Sequence, residues 1–245
     1  MFSRMPRIYA HRGMCLQAPE NTLAAFRMAK EAGAGWIETD VDVTSDGTPI
    51  IIHDTDLDRT TNRSGSIYDL GADDLEGIDA GSWFSSDFEG EPLPTLTQLV
   101  DLMNEIHLSA NIELKSHETG AALSRSLIWN TIGELMRLKR GAHVVVSSFN
   151  PLLLAEFKRA APQWPVAWLT TRETFASDWR SMLELIDADY LHPEDASLTR
   201  EKVRMVRAAG FGVNVWTVNS RARANELKNW GVTGIITDRA DHLLN

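Results

Sequence analysis

Along its whole length the chain alternates between short apolar runs of strand character and longer stretches of helical periodicity. Arg7 to His11 is followed by Asn21 to Ala32, Trp36 to Val43 by Leu96 to Glu105, and Ala110 to Lys115 by Ala121 to Leu138. The rhythm continues through Val144 to Phe149 and Leu152 to Ala160, Val166 to Leu169 and Trp179 to Ile186, then Asp189 to Leu191 and Arg200 to Ala209. Gly212 to Val218 with Ala222 to Trp230, and Gly234 to Thr237 with a short tail, complete eight βα units. Strands joined through helices run parallel, because the connection has to cross back over the sheet. Eight such units in 245 residues predict a (β/α)₈ TIM barrel, an open sheet of about six strands being the competing arrangement. A hydrophobic content of 43% would also suit two small domains, but the unbroken rhythm favours one domain over 1–245. Gly33, Gly210 and Gly231 follow helical stretches, and Pro151 and Thr199 stand near helix starts, as capping requires.

Thr55 to Pro94 breaks the rhythm with turn chemistry such as Asn62-Arg63-Ser64-Gly65 and Gly81-Ser82-Trp83. So long a loop inside a compact fold packs as a unit of its own. We expect a small insertion subdomain at about residues 55–95 over one barrel rim, anchored by Trp83, Phe84 and Phe88. It follows the second strand, and loops after strands form the face on which barrel enzymes build their sites.

That rim gathers unusual side chains. Ile37 to Asp54 reads IETDVDVTSDGTPIIIHD. Alternation puts Glu38 and Asp40 on the same side of a strand, about 7 Å apart along it. Asp46-Gly47 turns the chain, and the returning strand ends at His53. His11-Arg12 ends the first strand, while Glu113 and Lys115 repeat the two-residue spacing at the end of the third. Each has an ordinary reading: a solvated Glu-x-Asp face, a hydrogen-bonded structural histidine, a surface Glu-x-Lys ion pair. Their coincidence on three adjacent strands does not. Three carboxylates, Glu38, Asp40 and Glu113, suit a hard divalent cation, Mg²⁺ or Ca²⁺ with Mn²⁺ a further candidate. Arg12 and Lys115 beside it suit a phosphate. His11 and His53 supply a base and an acid near neutral pH, with His11 preferred as base. Together these describe phosphodiester cleavage. Phe149, Trp216 and His192, at the ends of later strands, are candidate substrate contacts, the first two as an apolar wall. Asp42 reads as solvated or a helper, and Cys15 as packing.

Charge narrows the partners. With 24 basic against 34 acidic residues the net charge is -10, which disfavours nucleic acid. The single cysteine allows no internal disulfide or zinc cluster. The segment MFSRMPRIYAHRG lacks the apolar core of a signal peptide, and no run reaches the roughly 18 apolar residues of a membrane span, so a cytoplasmic protein without a membrane anchor is expected.

The chain resembles the glycerophosphodiester phosphodiesterases of the bacterial, cytosolic type. The resemblance is carried by AHRG with PENTLAAF at 10–26, ETDVDVTSDGTPIIIHD at 38–54, LDRTTN at 57–62, LEGIDAGSWF at 75–84, PTLTQLV at 94–100, NIELK at 111–115, VWTVN at 215–219 and GVTGIITD at 231–238. It implies a barrel with a family-specific insertion and metal-dependent hydrolysis of glycerophosphodiesters, such as glycerophosphocholine or glycerophosphoethanolamine, to sn-glycerol 3-phosphate and an alcohol. Glu38, Asp40 and Glu113 then correspond to metal ligands, His11 and His53 to general base and acid, Arg12 and Lys115 to phosphate contacts, and Trp216 to the wall beside the glycerol. Two other readings compete: a phospholipase D-like lipid phosphodiesterase on the same barrel, and a non-catalytic phosphate-ligand sensor. Head-group preference, the monomer or homodimer state and the route through water or a cyclic phosphate stay open.

Overall fold

The computed structural model describes residues 6–115 and 120–244. Barrel strands β1 (Arg7–His11), β2 (Trp36–Val43), β4 (Ser109–Leu114), β5 (Val144–Ser148), β6 (Val166–Thr170), β7 (Tyr190–Pro193), β8 (Gly212–Val215) and β9 (Gly234–Thr237) are all parallel. Pairing of β1 with both β2 and β9 closes the sheet, so the fold is a TIM barrel. The short β3 (Pro49–Ile51) folds back antiparallel on β2 through a turn in which Gly47 has φ +87°.

Alternation along the strands sorts side chains into two layers. Outward-facing Ala10, Ile37, Ile112, Val146, Leu191, Val213 and Ile235 join helix residues such as Phe26, Leu99 and Leu154 in one buried cluster. Each large side chain of that layer contributes about 1.5–3 kcal/mol by leaving water. Inward-facing Val145, Ala167 and Tyr190 plug the barrel with Trp36. The inward positions near the C-terminal rim are polar instead: Glu38, Asp40, Asn111 and Glu113 are buried there.

The covering helices are α1 (Leu23–Glu31), α2 (Leu96–Ile106), α3 (Gly120–Leu135), α4 (Pro151–Ala160), α5 (Trp179–Ile186), α6 (Arg200–Ala208), α7 (Arg221–Trp230) and the short α8 (Ala240–Leu244). Their starts are chemically marked: Thr22, Thr95, Asn150, Thr199 and Ser220 each accept a backbone N–H at the N-cap. Helix α1 begins two residues later than periodicity suggests, because Asn21 is left-handed at φ +58° and Thr22 is the cap. Among the described residues no helix is long and apolar enough to cross a membrane.

The segment after β3 folds as an irregular insertion with 3₁₀ turns at Ile67–Asp69, Ala72–Leu75 and Ser86–Phe88. Its anchors differ from those expected. Ile50, Ile52, Leu57, Ile67, Ile78, Ala80 and Leu93 form its core, whereas Trp83 is 38% exposed and stacks edge-on with Phe84, which meets Phe88 in turn. Small aliphatic side chains scattered through turns pack inward, with Tyr68, Leu70 and Leu75 against them, while the aromatic trio packs on itself.

Candidate active site

Closure of the barrel decides which residues meet at the rim. His11 is level with Glu38 and Asp40 with Glu113. On the other side Ala10 pairs with Thr237, so the next residue, Asp238, falls beside His11.

Glu38, Asp40 and Glu113 are buried, and one carboxylate oxygen from each lies within 4.8 Å of the others. Burial first, then the charge of Asp40, pushes Glu38 up to about 8 and Glu113 up to about 7. Burial also opposes ionisation of Asp40, but Lys115 and Arg12 outweigh it and hold that carboxyl below its usual range. Lys115 Nζ lies 3.2 Å from Glu113 and 3.5 Å from Asp40, and Arg12 Nε lies 3.4 Å from Asp40. Three converging carboxyl groups against two bases leave more acid than base on buried hard oxygen donors, two of them held back from ionising. The donor set fits a divalent cation of the Mg²⁺ or Ca²⁺ kind.

Arg12 reaches its place through a left-handed backbone, φ +53°, and its N–H donates to Glu38 Oε2 at 3.2 Å. Gly13 follows at φ +83°, where a Cβ would stand 2.7 Å from the Ala25 Cβ; only glycine lets this loop lie against α1. Asn21 braces Asp40 with a 2.9 Å side-chain hydrogen bond while accepting from Thr39 Oγ1 at 2.8 Å.

Both histidines are tied to carboxylates. His11 Nδ1 is 2.6 Å from Asp238 Oδ1, and His53 Nδ1 is 2.6 Å from Asp54 Oδ1. Because an ionised carboxylate only accepts, Nδ1 carries the hydrogen in each, and Nε2 is the atom left for chemistry. His11 Nε2 lies 3.7 Å from Glu38 Oε2. Burial disfavours a charged His11, but Asp238 and Glu38 overcome it and raise its pKa. At His53 burial wins, helped by Lys115 and Arg12, and the pKa is lowered. These groups enclose a cavity of about 210 Å³ whose other wall includes Phe149, Leu169, Trp216 and Ile236. Phe149 and Trp216 meet edge to face with ring centroids 5.6 Å apart.

Buried paired carboxylates, two imidazoles and two phosphate-type bases in one cavity make a phosphodiester site chemically coherent. A profile described as the glycerophosphoryl diester phosphodiesterase family matches residues 11–242. The chain belongs to that family.

A glycerophosphodiester phosphodiesterase of Caldanaerobacter subterraneus subsp. tengcongensis is 34% identical over 238 residues, 97% of this chain and 96% of the relative. One of the same name from Bacillus subtilis is 33% identical, covering 95% of this chain and 83% of its own. Among solved structures, an Oleispira antarctica phosphodiesterase in complex with its product sn-glycerol-3-phosphate superposes with a TM-score of 0.92 at 32% identity, over 98% of this chain and 96% of that one. The chain is an enzyme of the phosphodiesterase class.

Of the side chains singled out from sequence, His11, Arg12, Glu38, Asp40, His53, Glu113, Lys115, Phe149 and Trp216 line this family's cavity. His192 does not. It is fully buried inside the barrel, its Nε2 2.8 Å from Asn214 Nδ2, and burial holds its pKa down to about 3. Its backbone carbonyl accepts from Trp216 Nε1 at 2.9 Å, so it braces the aromatic wall from behind and does not line the cavity. Asp42 is buried, not solvated, and accepts from Tyr68 of the insertion at 2.7 Å. The Cys15 thiol is pushed up to about 12 by burial and Asp238, which leaves it unreactive.

Sequence reasoning passed over Asp238, Asp54, Glu20 and Asn111. Asp238 was within reach: once the eighth strand is closed against the first, the residue after Thr237 has to lie beside His11. Asp54 was within reach as well, being next in sequence to its partner His53, whereas Glu20 carries no such signal, since Arg12 and Arg59 meet it through loops.

Proposed function

We propose that the enzyme hydrolyses glycerophosphodiesters such as glycerophosphocholine or glycerophosphoethanolamine to sn-glycerol 3-phosphate and an alcohol. The observation that carries this reading is the convergence of Glu38, Asp40 and Glu113 with two carboxylate-tied imidazoles in one cavity. The product held by the Oleispira relative supports it. Arg12 and Lys115 bind and orient the phosphate, and Trp216 with Phe149 packs against the carbon skeleton. A cation held by Glu38, Asp40 and Glu113, either Mg²⁺ or Ca²⁺ with Mn²⁺ as a third choice, supplies charge neutralisation at the phosphoryl oxygens.

Proton movement falls to the histidines. One Nε2 takes the proton of the nucleophile, either water or the glycerol C2 hydroxyl, and the other protonates the leaving oxygen. The resting charge pattern favours His53 as acceptor and His11 as donor, the reverse of the order preferred from sequence. We place the enzyme in the cytoplasm, where a lone thiol such as Cys15 stays reduced.

The test is release of glycerol 3-phosphate from several glycerophosphodiesters by purified protein, then after chelation and after restoring Mg²⁺, Ca²⁺ or Mn²⁺ singly. His11→Ala and His53→Ala each lower kcat by about 10²- to 10⁴-fold. Turnover of lysophospholipid but not glycerophosphocholine would favour the phospholipase D reading, and binding without turnover the sensor. A trapped cyclic glycerol phosphate assigns the C2 hydroxyl as nucleophile.

A further inference from the structure

Arg59 belongs to the insertion, yet both sides of its guanidinium bond to groups that hold the site. Nε donates to Asp54 Oδ2 at 2.6 Å, and Nη1 and Nη2 donate to the two oxygens of Glu20, each at 2.8 Å. The other Asp54 oxygen is the one bonded to His53 Nδ1. Glu20 Oε1 in turn accepts from Arg12 Nη1 at 2.8 Å. One planar fork therefore sets the angle of two carboxylates, and each carboxylate sets a cavity-lining side chain. Arg63, by contrast, spends its guanidinium inside the insertion on the carbonyls of Asp74 and Glu76. A lysine at position 59 would be a point charge able to serve one carboxylate at a time.

We propose that Arg59 is a positioning residue for this centre, orienting His53 through Asp54 and Arg12 through Glu20, so that the insertion supports proton transfer and phosphate binding together. The assignment of a step to each arm rests on the function proposed above. Along the first arm, a fixed Asp54 keeps the His53 hydrogen on Nδ1 and its Nε2 toward the cavity. Along the second, a fixed Glu20 keeps Arg12 from folding down fully onto Asp40.

Arg59→Met keeps the bulk of the stem and removes the fork. With glycerophosphocholine as substrate, it lowers kcat by about ten- to a hundredfold and raises KM. Asp54→Asn lowers chiefly kcat and Glu20→Gln raises chiefly KM. The double variant Arg59→Met/Asp54→Asn loses little more kcat than either single one, as expected of residues acting as a unit. Added guanidinium ion restores activity to Arg59→Met, while Arg59→Lys recovers at most one of the two constants. Imidazole ¹⁵N spectra show His53 as the Nδ1–H tautomer in the parent protein and as a mixture in Arg59→Met, at unchanged melting temperature. Both constants staying within about twofold of the parent would overturn the proposal, and so would a loss of activity with the His53 tautomer unchanged. Should the parent protein turn over no glycerophosphodiester, the functional reading falls, and the tautomer comparison alone decides the role of Arg59.

Discussion

At the scale of single residues, each rim imidazole is tied to a carboxylate that a second side chain also holds, Asn219 at Asp238 and Arg59 at Asp54. Asp238 takes hydrogen bonds on both oxygens, from His11 at 2.6 Å and from Asn219 Nδ2 at 2.6 Å. An amide has one accepting end, so in Asp238→Asn one of these contacts breaks. We expect kcat to fall by about 10²-fold with little change in KM, read from steady-state kinetics. His192 makes a prediction about stability. Its folded pKa, about 3, lies below the unfolded value near 6.5, so its contribution is complete above pH 6.5 and is lost as pH falls toward 3. Within that window the unfolded chain holds up to one more proton, worth about 1.4 kcal/mol per pH unit. In His192→Asn, urea unfolding at pH 7, 6 and 5 shows lower stability at pH 7 but a shallower decline toward pH 5. Parallel curves for the two proteins would contradict the burial of a neutral imidazole.

At the scale of elements the insertion is the part whose packing depends on single atoms. Gly81 has no space for a side chain: a Cβ there would lie 1.9 Å from the carbonyl oxygen of Phe88. Gly81→Ala forces the turn at Ser86–Phe88 away and costs about 1–3 kcal/mol. Limited proteolysis then cuts within residues 76–92 before the barrel. Tyr68→Phe removes one donor to the buried Asp42 and lowers stability by about 1–3 kcal/mol, measured by denaturant midpoint. These elements also show what a sequence makes legible. Barrel strands such as β2 and β5 stand out because a strand buried between helices and barrel interior needs apolar residues outward and selected ones inward. Turn-rich insertions give no such period. Ile67, Ile78 and Leu93 look no more buried in sequence than Trp83, and only the fold distinguishes them. The carboxylate triad was readable because the strand period aligns Glu38 with Asp40 and the order of the βα units sets the strand of Glu113 beside theirs. The link that Arg59 makes between Glu20 and Asp54 was not, because loops bring the three together.

At the scale of the whole molecule, the buried carboxylates tie stability to pH, and the cation proposed for them would tie it to cations as well. Glu38 and Glu113 have folded pKa values raised above the usual 4.5, to about 8 and about 7. Their contribution is therefore complete below about pH 4.5 and is lost as pH rises through 7 and 8. A cation at these groups reverses the penalty by favouring the charged forms. Thermal unfolding with and without Mg²⁺ or Ca²⁺ then shows a small rise in melting temperature at pH 5.5 and a larger one at pH 8. A cation in hundredfold excess over its dissociation constant adds about 2.7 kcal/mol. An equal rise at both pH values would remove the triad as the binding site.

Closure of β1 on β9 carries a consequence for how the enzyme comes into being. The contact that orients His11 joins residues 227 positions apart. During synthesis the chain emerges from its N-terminus, so His11, Glu38, Asp40 and Glu113 have all left the ribosome long before Asp238 exists. A barrel still lacking its last strand contains Glu38, Asp40 and Glu113 but leaves the His11 imidazole without its carboxylate partner. The carboxylate-bound form of His11 therefore arrives only with the last strand, when the end of the barrel pairs with its beginning.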